Sequence, residues 1–407
     1  MSWGDGMPRE RSALVQTPNV TITVALCFLV AVVEGFDIQA MGVAAPRLAP
    51  QFGFNPQQMS LIFAISNIGL VIGASFGGWL ADRVGRKPVF IGAVLSFGLF
   101  TLFTSLVGTY ESLLVVRFCA GLGFGAALPN MMALAAEVSA PEKRASTAAA
   151  MFCGMPIGGG TSALLTQLLP PDFDWRLLFE VGGVLPLLLA PTIYFLMQET
   201  LTKRATHAPR TDVMHGLFGE GRAVPTLLLW LTFLPTLLIL YLILNWLPTL
   251  VVANGLDRAV APRASLAFNF ASVAGALFLG RLVDRMNIRW PMTVAYLGLI
   301  VSLIALSTSS GLGMTVLLSG AAGFFLLGAN YALYGVAATY YPLNARGTGS
   351  GASVAVGRIG SIAGPLLPGL LMGGGTSSGS VVQFLVPFAA VAGAAVFALS
   401  FCRRPAY

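Results

Sequence analysis

Apolar segments about as long as a bilayer is thick recur almost without pause along this chain, and they restrict it to few architectures. A spanning helix needs roughly 20 mostly apolar residues. Twelve such segments can be marked, near residues 20–46, 58–80, 88–107, 111–136, 146–169, 177–198, 223–252, 262–283, 291–309, 313–341, 346–372 and 380–402. In a bilayer core every backbone polar group has to be bonded internally, which leaves helices and closed barrels. A barrel would need ten-residue segments of alternating character, whereas these runs are unbroken. Only 10% of the 407 residues are charged, against about a quarter in soluble domains. The expectation is an all-α membrane protein with twelve transmembrane helices. Its 47 glycines and 24 prolines suit helices that approach closely and re-satisfy each other's interrupted backbone.

The net charge of +7 could point to nucleic acid, but the basic residues are distributed by membrane side. With the N-terminus inside, about 17 of the 23 Lys and Arg fall in cytoplasmic loops and tails, among them Arg83, Arg86, Lys87, Lys143, Arg144, Lys203, Arg204, Arg285, Arg289, Arg403 and Arg404. Arg47, Arg176, Arg258 and Arg263 fall outside, while Arg117 and Arg358 lie within helices. Both termini are then cytoplasmic, and no nucleic-acid partner is implied. Residues 1–19 lack the pattern of a cleaved signal peptide, so the first helix is expected to stay as an anchor. Cys27, Cys119, Cys153 and Cys402 sit in or at the ends of apolar segments without metal-like spacing, as packing residues do.

The chain repeats itself internally. GGWLADRVGRK follows the second segment and GRLVDRMNIR follows the eighth, and aligning Gly78 with Gly280 superposes Asp82 on Asp284 and Arg83 on Arg285. The same shift of 202 residues carries Arg144 onto Arg346. Six helices, a polar segment and six more helices form the layout of a two-half transporter. The domains expected are a six-helix bundle over 1–198, a cytoplasmic linker over 199–222 and a second, pseudo-symmetric six-helix bundle over 223–407.

Gly78, Asp82, Arg83, Gly85, Arg86 and Lys87 match the loop signature of the major facilitator superfamily, and RFCAGLGFG, residues 117–125, resembles its fourth-helix Arg-plus-glycine motif. The first-segment EGFD, residues 34–37, resembles the acid-Gly-x-acid signature of the aromatic acid:proton symporters, and the whole chain is similar to their hydroxyphenylpropionate-transporter branch. The resemblance implies the major facilitator fold, a bacterial inner (cytoplasmic) membrane location, function as a monomer, no cofactor other than the proton as coupling ion, and a small aromatic carboxylate as substrate. It also implies that Asp82, Arg83 and Arg86 form a latch between the halves that stabilises the outward-facing state. The alternative is that these loop residues only fix topology by their charge. Asp284 and Arg285 are the counterparts in a loop that lacks the second glycine.

Glu34 and Asp37 are three residues apart, on one helical face within reach of each other. Two carboxylates this close in low dielectric cannot both ionise cheaply, so they should titrate as a coupled unit. That suits a proton-binding site, with Asp37 favoured as the carrier and Glu34 adjusting it. A structural pair bonded to neighbouring helices, or a watery vestibule face, is the plainer alternative. Arg358 lies about 13 residues into the eleventh segment, roughly 20 Å at 1.5 Å per residue, too deep to snorkel easily. Its planar fork suits a substrate carboxylate, or else a permanent salt bridge to Glu34 or Asp37. Arg117, about six residues into the fourth segment, could relay protons, snorkel or serve packing.

Asn67, Asn130, Asn245, Asn269, Asn330, Tyr331 and Tyr334 are polar groups in apolar segments, able to line a cavity and bond a substrate hydroxyl, or to act as interhelical glue. GxxxG spacings at Gly69, Gly73 and Gly77, Gly121 and Gly125, Gly154 and Gly158, and Gly360 and Gly364 suit close packing. An enzyme has little to stand on: His207 and His215 are both in the central loop, and no metal or nucleotide motif appears. The function expected is import of an aromatic carboxylic acid, benzoate or hydroxyphenylpropionate in type, by proton symport. The rival is a proton-coupled drug or metabolite efflux antiporter, whose fifth-helix motif GMPIGGG, residues 154–160, approaches.

Overall fold

The computed structural model describes residues 19–140, 144–199, 213–342 and 345–403. Lys143, Lys203, Arg204, His207 and Arg404, and most of the central polar segment, lie outside the described residues. The helices are α1 (Val20–Phe52), α2 (Pro56–Val84), α3 (Arg86–Thr104), α4 (Tyr110–Val138), α5 (Arg144–Phe152), α6 (Gly154–Leu168), α7 (Arg176–Leu196), α8 (Val213–Phe218), α9 (Ala223–Ala253), α10 (Pro262–Arg285), α11 (Arg289–Ser307), α12 (Leu312–Ala338), α13 (Arg346–Gly373), α14 (Ser378–Gln383) and α15 (Val386–Leu399). Twelve spans are long and apolar enough to cross a membrane, with α5 and α6 joined in one and α14 and α15 in another.

The spans agree with the apolar segments to within a few residues, except that α1 runs on through Pro46 and Pro50. It stops only at Gly53, whose φ of 68° is left-handed and whose N–H bonds back to the Ala49 and Pro50 carbonyls. The fifth span breaks at Cys153 because Pro156 has no N–H for the carbonyl four residues before it, that of Phe152. That carbonyl accepts from the Tyr331 hydroxyl at 3.3 Å instead.

Packing repeats as the sequence does: α2 lies on α4 as α10 lies on α12, α1 on α6 as α9 on α13, and α3 on α7 as α11 on α15. The result is two pseudo-symmetric bundles of six spans. Glycine sets the closest approaches. A methyl on Gly73 would run into the Leu122 backbone of α4, and one on Gly158 into the Val32 carbonyl of α1.

The halves are tied from mid-span toward the face opposite the basic 82–87 loop. Gln39 of α1 donates to the Leu244 carbonyl at 2.9 Å and accepts from Asn269 at 3.0 Å. Gln167 of α6 donates to the Ala259 carbonyl and accepts from Arg263, both at 2.8 Å. Phe63 of α2 meets Trp246 of α9 edge-on at 5.3 Å. The protein is therefore held closed on that face.

Gly73→Val should lower stability by about 1–3 kcal/mol or prevent folding, because rigid backbone occupies the space. Gly92→Val, with open space around it, should stay within about 0.5 kcal/mol of wild type. Thermal unfolding of the purified variants in detergent checks the contrast.

Candidate functional site

Asp37 and Arg117 come together in the centre of the first bundle. Arg117 Nη1 and Nη2 donate to Asp37 Oδ1 and Oδ2 at 3.1 and 2.9 Å, and Nε donates to Ser66 Oγ at 3.2 Å. The side chains are 2% and 0% exposed, so snorkelling is excluded for Arg117 in this conformation. This bidentate geometry is the one that repays desolvation best. Asp37 is thereby committed to Arg117 and not to Arg358.

Glu34, one turn earlier on α1, is in a different situation. It is fully buried, and neither carboxylate oxygen bonds to any described residue. Arg358 of α13 donates to the Tyr241 hydroxyl at 2.9 Å, and its charge reaches Glu34 without a bond between them. The salt bridge from Arg358 to either acid, one of the sequence alternatives, is absent among the described residues. Tyr331 and Tyr334 of α12 lie near this second cluster. The Tyr331 hydroxyl is spent on Phe152, and the Tyr334 ring packs edge-on against Phe233 at 5.5 Å.

Between the clusters lies a cavity of about 20 Å³, room for about one water molecule. Ser66, Asn67, Arg117, Tyr241 and Asn245 form its polar wall, with Phe63 and Phe124 among its apolar neighbours. The Asn67 and Asn245 amides each donate one bond, to the Phe63 and Tyr241 carbonyls. Asn130 and Asn330 do not line it. Each keeps a buried Oδ1 without a bonded partner, and Asn130 donates to Ala126 in its own helix.

Among the described residues, the basic loop finds its charged and aromatic partners within the first half. Asp82 bonds to Arg86 at 3.4 Å, Arg86 to Glu137 at 2.8 Å, and Arg83 and Lys87 lie over the rings of Trp79 and Tyr194. Gly78 borders open space. Gly85, at a φ of 119°, makes room for the Glu199 carboxylate, which accepts from the Arg86 and Lys87 N–H groups at 3.1 Å and so caps α3. Asp284 and Arg285 are exposed. In the second loop the cap is local, Asn287 Oδ1 accepting from the Arg289 N–H. That is why no second glycine is needed there.

Tyr241, Ser66, Gln39 and Glu199 were not singled out from the sequence. The repeat held a signal for two of them, since Gln39 and Tyr241 correspond at the shift of 202 residues, as do Asn67 and Asn269.

The Major Facilitator Superfamily model matches residues 27–365. The chain belongs to the Major Facilitator Superfamily. It is 39% identical over 392 residues to the 3-(3-hydroxyphenyl)propionate transporter of Escherichia coli, covering 96% of each protein. With the 4-hydroxybenzoate transporter PcaK of Pseudomonas aeruginosa it shares 33% identity, over 92% of this chain and 91% of that one. With the gallate transporter of Pseudomonas putida the identity is 34%, over 86% and 85%. Among solved structures, a bacterial homologue of the human lysosomal transporter Spinster, inward-facing and unoccupied, superposes with a TM-score of 0.77 at 18% identity. It covers 94% of this chain and 97% of its own, a likeness of fold. This facilitator-superfamily member is accordingly a multi-pass membrane transporter and not an enzyme.

Asp37→Asn should destabilise the protein by about 3–5 kcal/mol, because it leaves the Arg117 charge buried without its counterpart. Adding Arg117→Gln should recover much of that loss. Thermal unfolding of the two single variants and the double variant checks the cycle; additive losses would contradict it.

Proposed function

We propose that this transporter imports an aromatic carboxylic acid, of the benzoate or hydroxyphenylpropionate type, by proton symport with alternating access. The observation that carries the reading is Arg358, a guanidinium in mid-span whose bonded partner is a phenol and not a carboxylate. A planar, permanently charged fork in that position suits a carboxylate brought by the substrate. Phe63, Phe124 and Tyr241 beside the cavity offer ring surface, and Asn67 and Asn245 offer amides for a ring hydroxyl. Relatives named for hydroxylated aromatic acids support the same class. A cation carrier would be opposed by Arg358, and a neutral sugar has no use for it.

The first-helix acids supply the proton sites, with Arg117 as the counter-charge to Asp37. The distribution of Lys and Arg supports a cytoplasmic basic face and both termini inside, and the family resemblance supports the inner membrane. The closed face is then the outer one. In the outward-open state, Asp82, Arg83 and Arg86 are proposed to turn from their first-half partners and latch onto the second half. GMPIGGG gives the efflux alternative little support, since its glycines have a packing use: Gly158 against α1, and Gly159 and Gly160 against Asn269 and Phe270 of α10.

Uptake of a labelled panel, 3-(3-hydroxyphenyl)propionate, 4-hydroxybenzoate, gallate and benzoate, into proteoliposomes tests the class. Arg358→Lys keeps charge but loses the fork. It should cut uptake of the preferred acid at least tenfold at normal expression; near-normal affinity would contradict the assignment.

A further inference from the structure

After Asp284 the chain carries no further Asp or Glu, yet it holds Arg285, Arg289, Arg346, Arg358, Arg403 and Arg404. The basic end of the last four spans therefore has cations and no carboxylate side chain of its own. Arg289, the first residue of α11, shows what this leaves. Its guanidinium carbon lies 4.5 Å from the centre of the Phe401 ring, 4.7 Å from that of Phe397 and 5.7 Å from that of Trp290. Its Nε is enclosed, and none of its side-chain nitrogens is bonded to a described residue. Asp284, the nearest acid in sequence, is exposed and forms no ion pair with it among the described residues.

Rings beside a guanidinium attract its charge but leave its in-plane N–H groups unbonded. With Nε enclosed, the two Nη groups are the donors that an incoming oxygen can meet. Trp290 and Phe401 are 61% and 62% exposed, so these donors open between rings on the outside of the bundle and not into the transport pathway. Further along α11, Val294, Leu297, Val301 and Ile304 are exposed at spacings of three and four residues, which puts them on one continuous apolar face with Trp290. From Trp290 to Ile304 that face runs about 21 Å, more than one leaflet's share of a hydrocarbon core about 30 Å thick.

We infer that Arg289, with Phe397 and Phe401 beside it, holds the phosphate of an anionic phospholipid whose acyl chain lies along the exposed face of α11. Phosphate oxygens match the paired donors of a guanidinium, and the missing carboxylates leave a charge for them to balance. Arg403, exposed and two residues past Phe401, adds a second cation at the same end. A zwitterionic headgroup would bring an ammonium that finds no acid there. A soluble phosphate would leave the apolar face unused. Trp290 stands where indole rings gather, at the level of the headgroups. With the basic face cytoplasmic, as proposed above, the lipid belongs to the inner leaflet; the site itself does not depend on which acid is transported.

The test uses the full chain, purified in a neutral detergent and titrated with phosphatidylglycerol or with phosphatidylcholine of the same acyl chains, bound lipid being counted by native mass spectrometry. Wild type should bind phosphatidylglycerol about fivefold more tightly than phosphatidylcholine, the effect of one basic group at a membrane surface. Arg289→Gln should abolish that preference, and Phe401→Leu, which keeps the charge and opens the ring cluster, should weaken it. Inorganic phosphate in millimolar excess should not displace the lipid. Equal binding of the two lipids by wild type, or a preference that survives Arg289→Gln, would overturn the proposal; displacement by inorganic phosphate would make this a site for a soluble anion and overturn the lipid. Location is read in wild type with a photoactivatable phosphatidylglycerol, which should label residues 289–304 and 397–403. Labelling confined to other segments would overturn the proposal even if Arg289→Gln does not fold.

Discussion

Asp37 and Arg117 are 80 residues apart in sequence and meet in the buried interior, through two parallel bonds that leave each with its charge matched. The rest of the central site is arranged around that commitment. Because Arg117 is satisfied by Asp37 and Ser66, it is a fixed wall of the cavity. Because Asp37 is satisfied by Arg117, it cannot neutralise Arg358. On the second half Arg358 has a phenol as its bonded partner and no carboxylate among the described residues. The two halves thus hold different parts of one site, a matched ion pair on the first and a guanidinium without a carboxylate partner on the second.

Helix approach makes this meeting possible. α1 can lie against α6 because Gly154 and Gly158 present no side chain to it, and the next glycines let α6 also reach α10 of the other half. Pro156 breaks that span and frees the carbonyl that Tyr331 takes up from across the interface. Closure is held by side-chain amides, Gln39 in mid-span and Gln167 toward the opposite face, bonded to backbone and polar groups of the second half. Individual bonds of this kind are worth only about 1 kcal/mol net. Ties of that size can hold one conformation and still be exchanged for others.

Much of the fold was legible in the sequence because lipid permits so few ways to satisfy a backbone. Length and apolarity placed the twelve spans, and the shift of 202 residues placed the two halves. The end of α1 was not legible, since the apolar segment was marked only to about residue 46 while the helix runs through Pro46 and Pro50 to Phe52 and is capped at Gly53. Within the site, depth and residue type marked Glu34, Asp37 and Arg358, but pairing was hidden. Nothing in the spacing of Asp37 and Arg117 says they meet, and position alone left snorkelling open for Arg117. Tyr241 was missed because a tyrosine in an apolar run looks like core; only its correspondence with Gln39 in the repeat sets it apart. Glu199 was missed because its role, capping α3, depends on where the chain returns after the sixth span.

The central claim is that Arg358, bonded to a phenol while Arg117 is already engaged by Asp37, is the group that takes the substrate carboxylate. Equilibrium binding of 3-(3-hydroxyphenyl)propionate to the purified transporter, set against binding of the corresponding carboxamide, tests it most directly. The account predicts that wild type binds the acid at least tenfold more tightly than the amide and that Arg358→Gln loses this preference. Equal binding of acid and amide by wild type, or a preference that survives Arg358→Gln, would contradict it.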